Sequence, residues 1–300
     1  MQPIITVKDF SLKIGKKQIV EDLSFEVYPG EVFAFLGANG SGKTTTIRTL
    51  LGIYQPTKGE LLIKGQPYSV ERSSMIGYLP EERGIYINNT PYEVMMYFAQ
   101  LKGVPKATAH KRITAYLERV ELADKAKLKV KKLSSGQQQK IQLGTAFINE
   151  PELLILNEPT KGFDPVNREL LMDMLEEYNK RGTTIIFITH QMDEVERIAD
   201  RLAMIKQGKR VLYGTVNNVK AEFGDHTIRL RYEGKLPTND KLYSITRREL
   251  HDAELALAQP DKSNAALQFL VENGVTIERF EVGSPSLESI FIKVSKEDIT

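Results

Sequence analysis

Five apolar residues, Val32-Phe33-Ala34-Phe35-Leu36, run without a break into Gly37-Ala38-Asn39-Gly40-Ser41-Gly42-Lys43-Thr44, and Thr45 to Leu51 can continue as a helix closed by Gly52. A short uninterrupted apolar run suits a strand buried on both faces, as in parallel sheets. Strand, glycine-rich loop and helix in that order fix the start of an α/β unit. The spacing G-x-x-x-x-G-K-[ST] is met by Gly37, Gly42, Lys43 and Thr44, with Gly40 as a further glycine and Ser41 as a small residue. Glycine is needed where the chain wraps an anion so closely that a Cβ would clash, or where φ turns positive. The main-chain N–H groups of the loop, which Asn39 and Thr45 extend, then point inward at the positive end of the helix. Lys43 would neutralise β and γ phosphates, and the Thr44 hydroxyl would ligate Mg²⁺.

Composition narrows the remaining options. The chain of 300 residues is long enough for one large core and a smaller companion, so two domains are expected. A formal charge of +2 favours neither nucleic acid nor an anionic membrane surface. The absence of cysteine removes disulfides, thiolate metal sites and cysteine nucleophiles together, and agrees with a reducing, cytoplasmic setting. The first residues lack a basic stretch followed by an apolar core, so they do not read as a secretory signal and the mature chain is expected to start there. The longest apolar runs, Val32 to Leu36, Leu153 to Leu156 and Ile185 to Ile188, fall far short of the roughly 18 residues a membrane helix requires.

Along the chain, Val7 to Leu12 and Ile19 to Val27 alternate apolar and polar residues, an antiparallel start to the fold. Residues 90 to 143 read as mostly helical, opening with Thr90-Pro91-Tyr92-Glu93, a capping box with proline in the first turn. Leu153 to Leu156 and Thr184 to Thr189 are further buried strands, separated by a helical stretch from about Pro165 to Lys180. From Ala221 the texture changes to short segments, His226 to Tyr232, Lys241 to Thr246, a helix over Asn264 to Asn273, and Val275 to Val282, which describe a small α+β domain without chemistry of its own.

The segment Leu133-Ser134-Ser135-Gly136-Gln137 resembles the signature sequence of the ABC (ATP-binding cassette) family. Leu153-Leu154-Ile155-Leu156-Asn157-Glu158-Pro159-Thr160 is similar to that family's Walker B strand, Gly162-Phe163-Asp164 to its D-loop, and Ile188-Thr189-His190 to its switch histidine. Together with the phosphate loop these make five motifs in the family's order, over about residues 4 to 215. The resemblance implies a P-loop cassette: a parallel sheet core with an antiparallel β subdomain and a helical subdomain (about 88–145) within residues 1–220, followed by a small α+β accessory domain over 221–300. It also implies ATP and Mg²⁺ as cofactors and a head-to-tail dimer, with itself or with another cassette, that sandwiches two ATP molecules. Ser134, Ser135, Gly136 and Gln137 would close the γ-phosphate site across the interface. Glu158 would polarise the attacking water, His190 would hold water and phosphate in line, and Asp164 would link the two sites. Ser134 and Ser135 also suit a plain helix N-cap ahead of Gln137.

Three positions depart from the family pattern. Asn157 stands where aspartate usually organises Mg²⁺ through water, which implies weaker metal retention and slower turnover. Glu81, in Gly77-Tyr78-Leu79-Pro80-Glu81-Glu82, replaces a glutamine on the loop that senses metal and membrane partner, and its carboxylate could restore part of the lost charge. Ile14, ahead of Gly15, replaces the aromatic residue that stacks on adenine, with Phe10 as a substitute or as plain core. Ser135 in place of glycine is a milder change.

Pro80-Glu81-Glu82-Arg83-Gly84, the run Gln137-Gln138-Gln139-Lys140 and the appended domain resemble a bacterial subgroup that energises ABC-2-type exporters, including sodium-efflux and drug-efflux systems. That resemblance implies an integral-membrane permease as partner, and a position on the inner face of the cell membrane held through that permease. The region with Tyr92, Met95, Met96, Tyr97 and Phe98 would receive a coupling helix, although helical spacing assigns about half of these residues to the core. Two other readings are a non-transport ABC ATPase, disfavoured by a single cassette and balanced charge, and a subunit that clamps ATP without hydrolysing it, which Asn157 makes credible.

Overall fold

The computed structural model describes residues 2–82, 84–223, 227–283 and 286–296; His226 and Arg83 lie outside the described residues. The chain forms two compact units, Met1–Thr215 and Val216–Thr300.

In the first unit the strands are β1 (Ile5–Ile14), β2 (Lys17–Val27), β3 (Val32–Leu36), β4 (Lys58–Ile63), β5 (Ile76–Leu79), β6 (Leu153–Asn157), β7 (Thr184–Ile188), β8 (Arg201–Lys206) and β9 (Lys209–Thr215). The helices are α1 (Lys43–Leu50), α2 (Pro91–Leu101), α3 (Lys106–Arg119), α4 (Ser135–Phe147), α5 (Pro165–Lys180) and α6 (Met192–Ile198). The central sheet has the order β5-β6-β7-β3-β8-β9, parallel except for the antiparallel β9. A second sheet, β2-β1-β4, is antiparallel throughout.

The apolar runs are uninterrupted because both faces of the central sheet are covered. Leu154, Leu156, Ile185 and Phe187 face a core shared with α2 to α5, whereas Leu153, Ile155, Ile186 and Ile188 face a core closed by the antiparallel sheet and α1. Phe10 and Phe25 are fully or almost fully buried in the latter, so Phe10 is core. The helical stretch expected over 90–143 is α2, α3 and the first part of α4, joined by short 3₁₀ turns at Ala123–Lys125 and Val130–Lys132. Its opening is the capping box of Thr90 and Glu93 with Pro91 in the first turn.

The second unit contains α7 (Val216–Phe223), β10 (Thr227–Glu233), β11 (Tyr243–Arg248), β12 (Asp252–Leu257), α8 (Ser263–Glu272), β13 (Thr276–Gly283) and α9 (Leu287–Lys296). Its sheet, β11-β12-β10-β13, is antiparallel. Ile228, Leu230, Tyr232, Tyr243 and Leu255 on one face pack with Ala266 and Leu270 of α8, which gives this unit a core of its own. The strand β12 and the helices α7 and α9 were not legible beforehand: β12 has only three inward apolar residues, Ala253, Leu255 and Leu257, and lies between strands.

Candidate nucleotide site

Residues that look scattered in sequence converge where the parallel strands end. Gly37 follows β3 with φ of 149°, and a Cβ there would lie 2.3 Å from the Ile205 carbonyl oxygen, so no larger residue fits between loop and β8. Gly42 caps α1 with φ of 111° and no side-chain partner, which leaves the first N–H groups of the helix to whatever occupies the loop. Gly40, also at positive φ, has nothing within 4 Å of its added Cβ and therefore faces open space.

Lys43 folds back over this loop. Its Nζ donates to the carbonyl oxygens of Gly37 at 2.8 Å and Ala38 at 3.1 Å. Burial holds its ammonium below the usual lysine range, and the carboxylates of Glu158 and Glu81 pull it part of the way back up. Ser41 is buried with its hydroxyl unpaired, whereas Asn39 at the mouth of the loop is exposed. Thr45 is half-buried and accepts through its carbonyl from the Thr49 hydroxyl.

At the end of β6 the Asn157 amide nitrogen donates to Thr44 Oγ1 at 3.2 Å. The next residue, Glu158, has φ of 49°, a left-handed conformation that costs a non-glycine residue about 1–3 kcal/mol. Its N–H is held by the Ile188 carbonyl at 2.7 Å, and the turn aims its carboxylate across to the end of β7. There Glu158 Oε1 accepts from His190 Nδ1 at 2.9 Å. The Gln191 amide approaches His190 Nε2 at 3.3 Å, so the imidazole is tethered at both nitrogens. The Glu158 side chain is 11% exposed and that of His190 63%, so the ring is the solvent-facing member of the pair.

Glu81 follows β5: its Oε1 is 3.4 Å from Lys161 Nζ, and the two residues line an opening of about 370 Å³ with Gln139 and Gly162. The carboxylate therefore rests on a lysine.

The signature residues sit at the head of α4. Ser134 is the N-cap, with Gln137 N–H donating to its Oγ at 3.3 Å and its own N–H donating to Gln137 Oε1 at 3.1 Å. Ser135 opens the helix, and a Cβ on Gly136 would come within 3.3 Å of the Gly162 carbonyl oxygen. The cap reading thus holds for Ser134 and Gln137, and it presents the remaining N–H groups of the helix head outward. Asp164 caps α5, accepting from the Asn167 N–H at 2.9 Å, and the two Asn167 donors hold its carboxyl below the usual range. Ile14, at the end of β1, is 48% exposed ahead of Gly15.

Residues 20–161 match the family model described as "ABC transporter", and residues 214–295 match the model of the "ATP-binding protein DrrA1-3-like, C-terminal domain". The chain is 37% identical over 97% of its length to the uncharacterized ABC transporter ATP-binding protein YhaQ of Bacillus subtilis, covering 98% of that protein. The chain belongs to the ABC transporter ATP-binding proteins. The linearmycin resistance ATP-binding protein LnrL of Bacillus subtilis is 31% identical, with 94% of each chain covered. The Nod factor export ATP-binding protein I of Burkholderia lata is 30% identical, with 98% of each covered. A solved structure of an ATP-binding subunit of an ABC transporter superposes with a TM-score of 0.70 at 29% identity, over 73% of this chain and 93% of that one. The structure of cbiO1 from Clostridium perfringens, part of the cbiONQ ABC transporter complex, gives a TM-score of 0.65 at 28% identity, over 74% of this chain and 92% of that one.

As an ABC transporter ATP-binding subunit, the protein binds and hydrolyses ATP and works with a membrane component. No helix among the described residues is long and apolar enough to cross a membrane. Among the described residues no cluster of three or more His, Asp or Glu side chains could hold a metal by itself. The helical subdomain of the cassette divides its apolar residues as helical spacing suggests: Met95 and Met96 are buried, Tyr92 and Phe98 are packed against the core, and Tyr97, Leu101, Tyr86 and Ile87 are exposed. Tyr86 meets Tyr97 edge-on with centroids 5.4 Å apart.

Sequence reasoning overlooked the glutamines that hold the cleft together. Gln142 Nε2 donates to the carbonyls of Pro80 at 3.3 Å and Glu82 at 3.0 Å, and Gln139 Nε2 donates to the Pro159 carbonyl at 3.1 Å. Through these, α4 fixes the loops that carry Glu81 and Glu158. The signal was available as polar residues three apart on a helix whose surrounding residues, Ile141, Leu143 and Ala146, are all buried.

Proposed function

We propose that the chain is the engine of an exporter: two cassettes clamp ATP between them, and the closure is transmitted to a separate membrane permease that holds this subunit on the inner face of the membrane. The observation that carries the reading is the geometry at the strand ends. A glycine loop with unpaired helix N–H groups and a folded-back lysine stands beside a buried carboxylate already hydrogen-bonded to an exposed histidine.

When a triphosphate enters, Lys43 exchanges the carbonyls of Gly37 and Ala38 for phosphate oxygens, and the N–H groups after Gly42 gain the acceptor they lack. Glu158 accepts a proton from, or orients, the attacking water, and its strained backbone keeps the carboxylate on target. His190, released from Glu158, swings to the γ-phosphate. The head of α4, with Ser134, Ser135, Gly136 and Gln137, supplies donors to the nucleotide of the opposite cassette, and Asp164 holds the adjoining loop at that interface. Ile14 offers an apolar contact to the base.

The donors present fit a Mg²⁺ that arrives on the nucleotide, because hydroxyl and amide groups cannot replace its hydration shell unaided. Thr44 and, through water, Asn157 would hold it, with Glu81 joining once it leaves Lys161. The bound ion would supply charge neutralisation of the phosphates. Tyr86, Tyr97 and Leu101 form the apolar surface that suits a permease segment. The export direction is supported by the names of the linearmycin resistance and Nod factor export relatives.

Calorimetry with ATP and Mg²⁺ tests the site: heat of binding is expected from the wild-type chain and none from Lys43→Ala. Equal heat from both would overturn the reading. Co-expression with a candidate integral-membrane permease tests the partner: co-purification with the wild-type chain is expected, and Tyr97→Glu is expected to abolish it while leaving ATP binding intact.

A further inference from the structure

The outer face of the C-terminal sheet is polar, uncovered and ordered in rows. Register places Arg247, Glu254, Arg229 and Glu281 in one row across β11, β12, β10 and β13. The next row holds Glu249, bonded through its N–H to the Asp252 carbonyl, then Asp252, Arg231 and Arg279. In strand order the first row therefore reads plus, minus, plus, minus, and the second minus, minus, plus, plus. The row beyond, Ser244, Ala256, Thr227 and Gly283, is small. The long side chains stand around an open depression of about 310 Å³.

The pattern is antisymmetric. Exchanging β11 with β13 and β12 with β10 turns each of the eight charges into its opposite: Arg247 maps to Glu281, Glu254 to Arg229, Asp252 to Arg231, and Glu249 to Arg279. That exchange is what a two-fold axis parallel to the strands performs when one such face is laid on another. We infer that the outer face of this sheet is a docking surface for the same face of a second copy of this chain, with each arginine meeting an acid of the partner. A two-fold axis across the strands would instead bring Glu254 onto Asp252 and Arg229 onto Arg231, so the charges also select the orientation. Two isologous sheets keep strand directions close, as aligned sheet packing requires. The eight charges sum to zero and Glu278, exposed at the bulge of β13 near Arg231, adds one negative charge, which offers nothing to a nucleic acid or an anionic membrane.

In the isolated chain three pairs are satisfied within the face. Arg231 forks onto Asp252 with both contacts at 3.1 Å, Arg247 reaches Glu249 at 2.6 Å, and Arg279 reaches Glu281 at 2.5 Å. Among the described residues Arg229 and Glu254 pair with no opposite charge although they are neighbours in register. They are the pair a second copy completes. Four strands about 4.8 Å apart and three rows give on the order of 400 Å² per partner, about half the area of a standard specific interface, so association is weak and falls with salt.

The docking does not rest on the ATP-dependent pairing of cassettes, and it is tested without nucleotide. Sedimentation of the full chain at high protein concentration and low ionic strength is expected to show self-association that salt reverses. Arg229→Glu and Glu254→Arg each place like charges opposite one another twice in a two-fold dimer, so each alone is expected to weaken self-association by about tenfold or more. An equimolar mixture of the two variants restores both contacts and is expected to associate as the wild type does. The double variant R229E/E254R is again self-complementary and recovers association in one chain. Neighbour effects inside one sheet would not be relieved by mixing. The inference is overturned if the wild-type chain shows no salt-sensitive association, if either single variant sediments as the wild type, or if the mixture behaves as the sum of its components. ATP-driven dimerisation, measured afterwards with nucleotide added, reports on the cassette site alone.

Discussion

The central six-stranded sheet and the C-terminal sheet place their chemistry in opposite ways. Every residue of β6 and β7 is buried, and alternate residues serve two different cores, so the faces of the central sheet are unavailable to any ligand. What the strands can offer is their ends, and there Gly37, Asn157, Glu158 and His190 are gathered by the shared register of β3, β6 and β7. In the C-terminal sheet β10 alternates buried Ile228, Leu230 and Tyr232 with exposed Arg229 and Arg231, so its second face is left to charged side chains. A sheet covered on both sides concentrates function at loop geometry, while a sheet covered on one side can spread recognition over an area.

The contrast can be broken most decisively at the strand ends. Glu158→Gln is expected to lower the ATPase turnover about 10²- to 10⁴-fold while ATP still binds, because the lost group acts on the water rather than on the nucleotide. A turnover within a few-fold of wild type would show that the pair with His190 is structural. Next in size is the dry face: Phe187, fully buried among α4 and α5 residues, is expected to cost about 3–5 kcal/mol when truncated to alanine, read from denaturant midpoints. On the wet face Arg231→Ala is expected to leave the unfolding midpoint essentially in place. Comparable losses from the two substitutions would erase the distinction between the sheets.

How far these features were readable in advance follows from the same distinction. The apolar runs at 32–36, 153–157 and 184–188 announce a covered parallel sheet because both faces demand apolar residues, and the glycine loop announces its own conformation. By contrast β5 (Ile76–Leu79) and β8 (Arg201–Lys206) were missed: β5 is four residues long with a glycine inside, and β8 begins and ends with a cation. The pairing of Glu158 with His190 and the cap made by Ser134 and Gln137 lie in motifs that spacing alone marks out. The resting place of Glu81 on Lys161, and the grip of Gln142 on the Pro80 and Glu82 carbonyls, depend on contacts across 60 residues or more that no local pattern encodes.

A smaller effect sharpens what the strand end needs. The Asn157 amide nitrogen donates to Thr44 Oγ1, whereas an aspartate could only accept, turning the threonine proton toward itself and freeing a lone pair for the metal. Asn157→Asp is therefore expected to raise the Mg²⁺-dependent ATPase rate several-fold, on the order of 1 kcal/mol in barrier, with half-saturation at lower Mg²⁺. Unchanged Mg²⁺ dependence would mean that the amide is no handicap. If Glu81 compensates for Asn157, the Asn157→Asp and Glu81→Gln effects will be non-additive in a double-mutant cycle.

The smallest effect distinguishes the two units by the sign of their response to pH. Glu194 at the start of α6 is almost fully buried, and burial raises its carboxyl above the ordinary value despite Thr160 and Arg168 nearby. Arg168 Nε lies 3.2 Å from Glu194 Oε1, yet the angle is too poor for a hydrogen bond, so the cation offsets burial only in part. A raised folded value means that this group's stabilisation is complete below the ordinary carboxylate value and is lost as pH climbs through the folded one. Asp252 on the exposed sheet face is held low by its bond to Arg231, so its contribution is present above the ordinary aspartate value and is lost as pH falls through the depressed one. Equilibrium unfolding across pH is accordingly expected to flatten on the rising side in Glu194→Gln and on the acidic side in Asp252→Asn. Slopes of the same sign in both variants would mean that the buried acid of the first unit is solvated like the surface acids of the second.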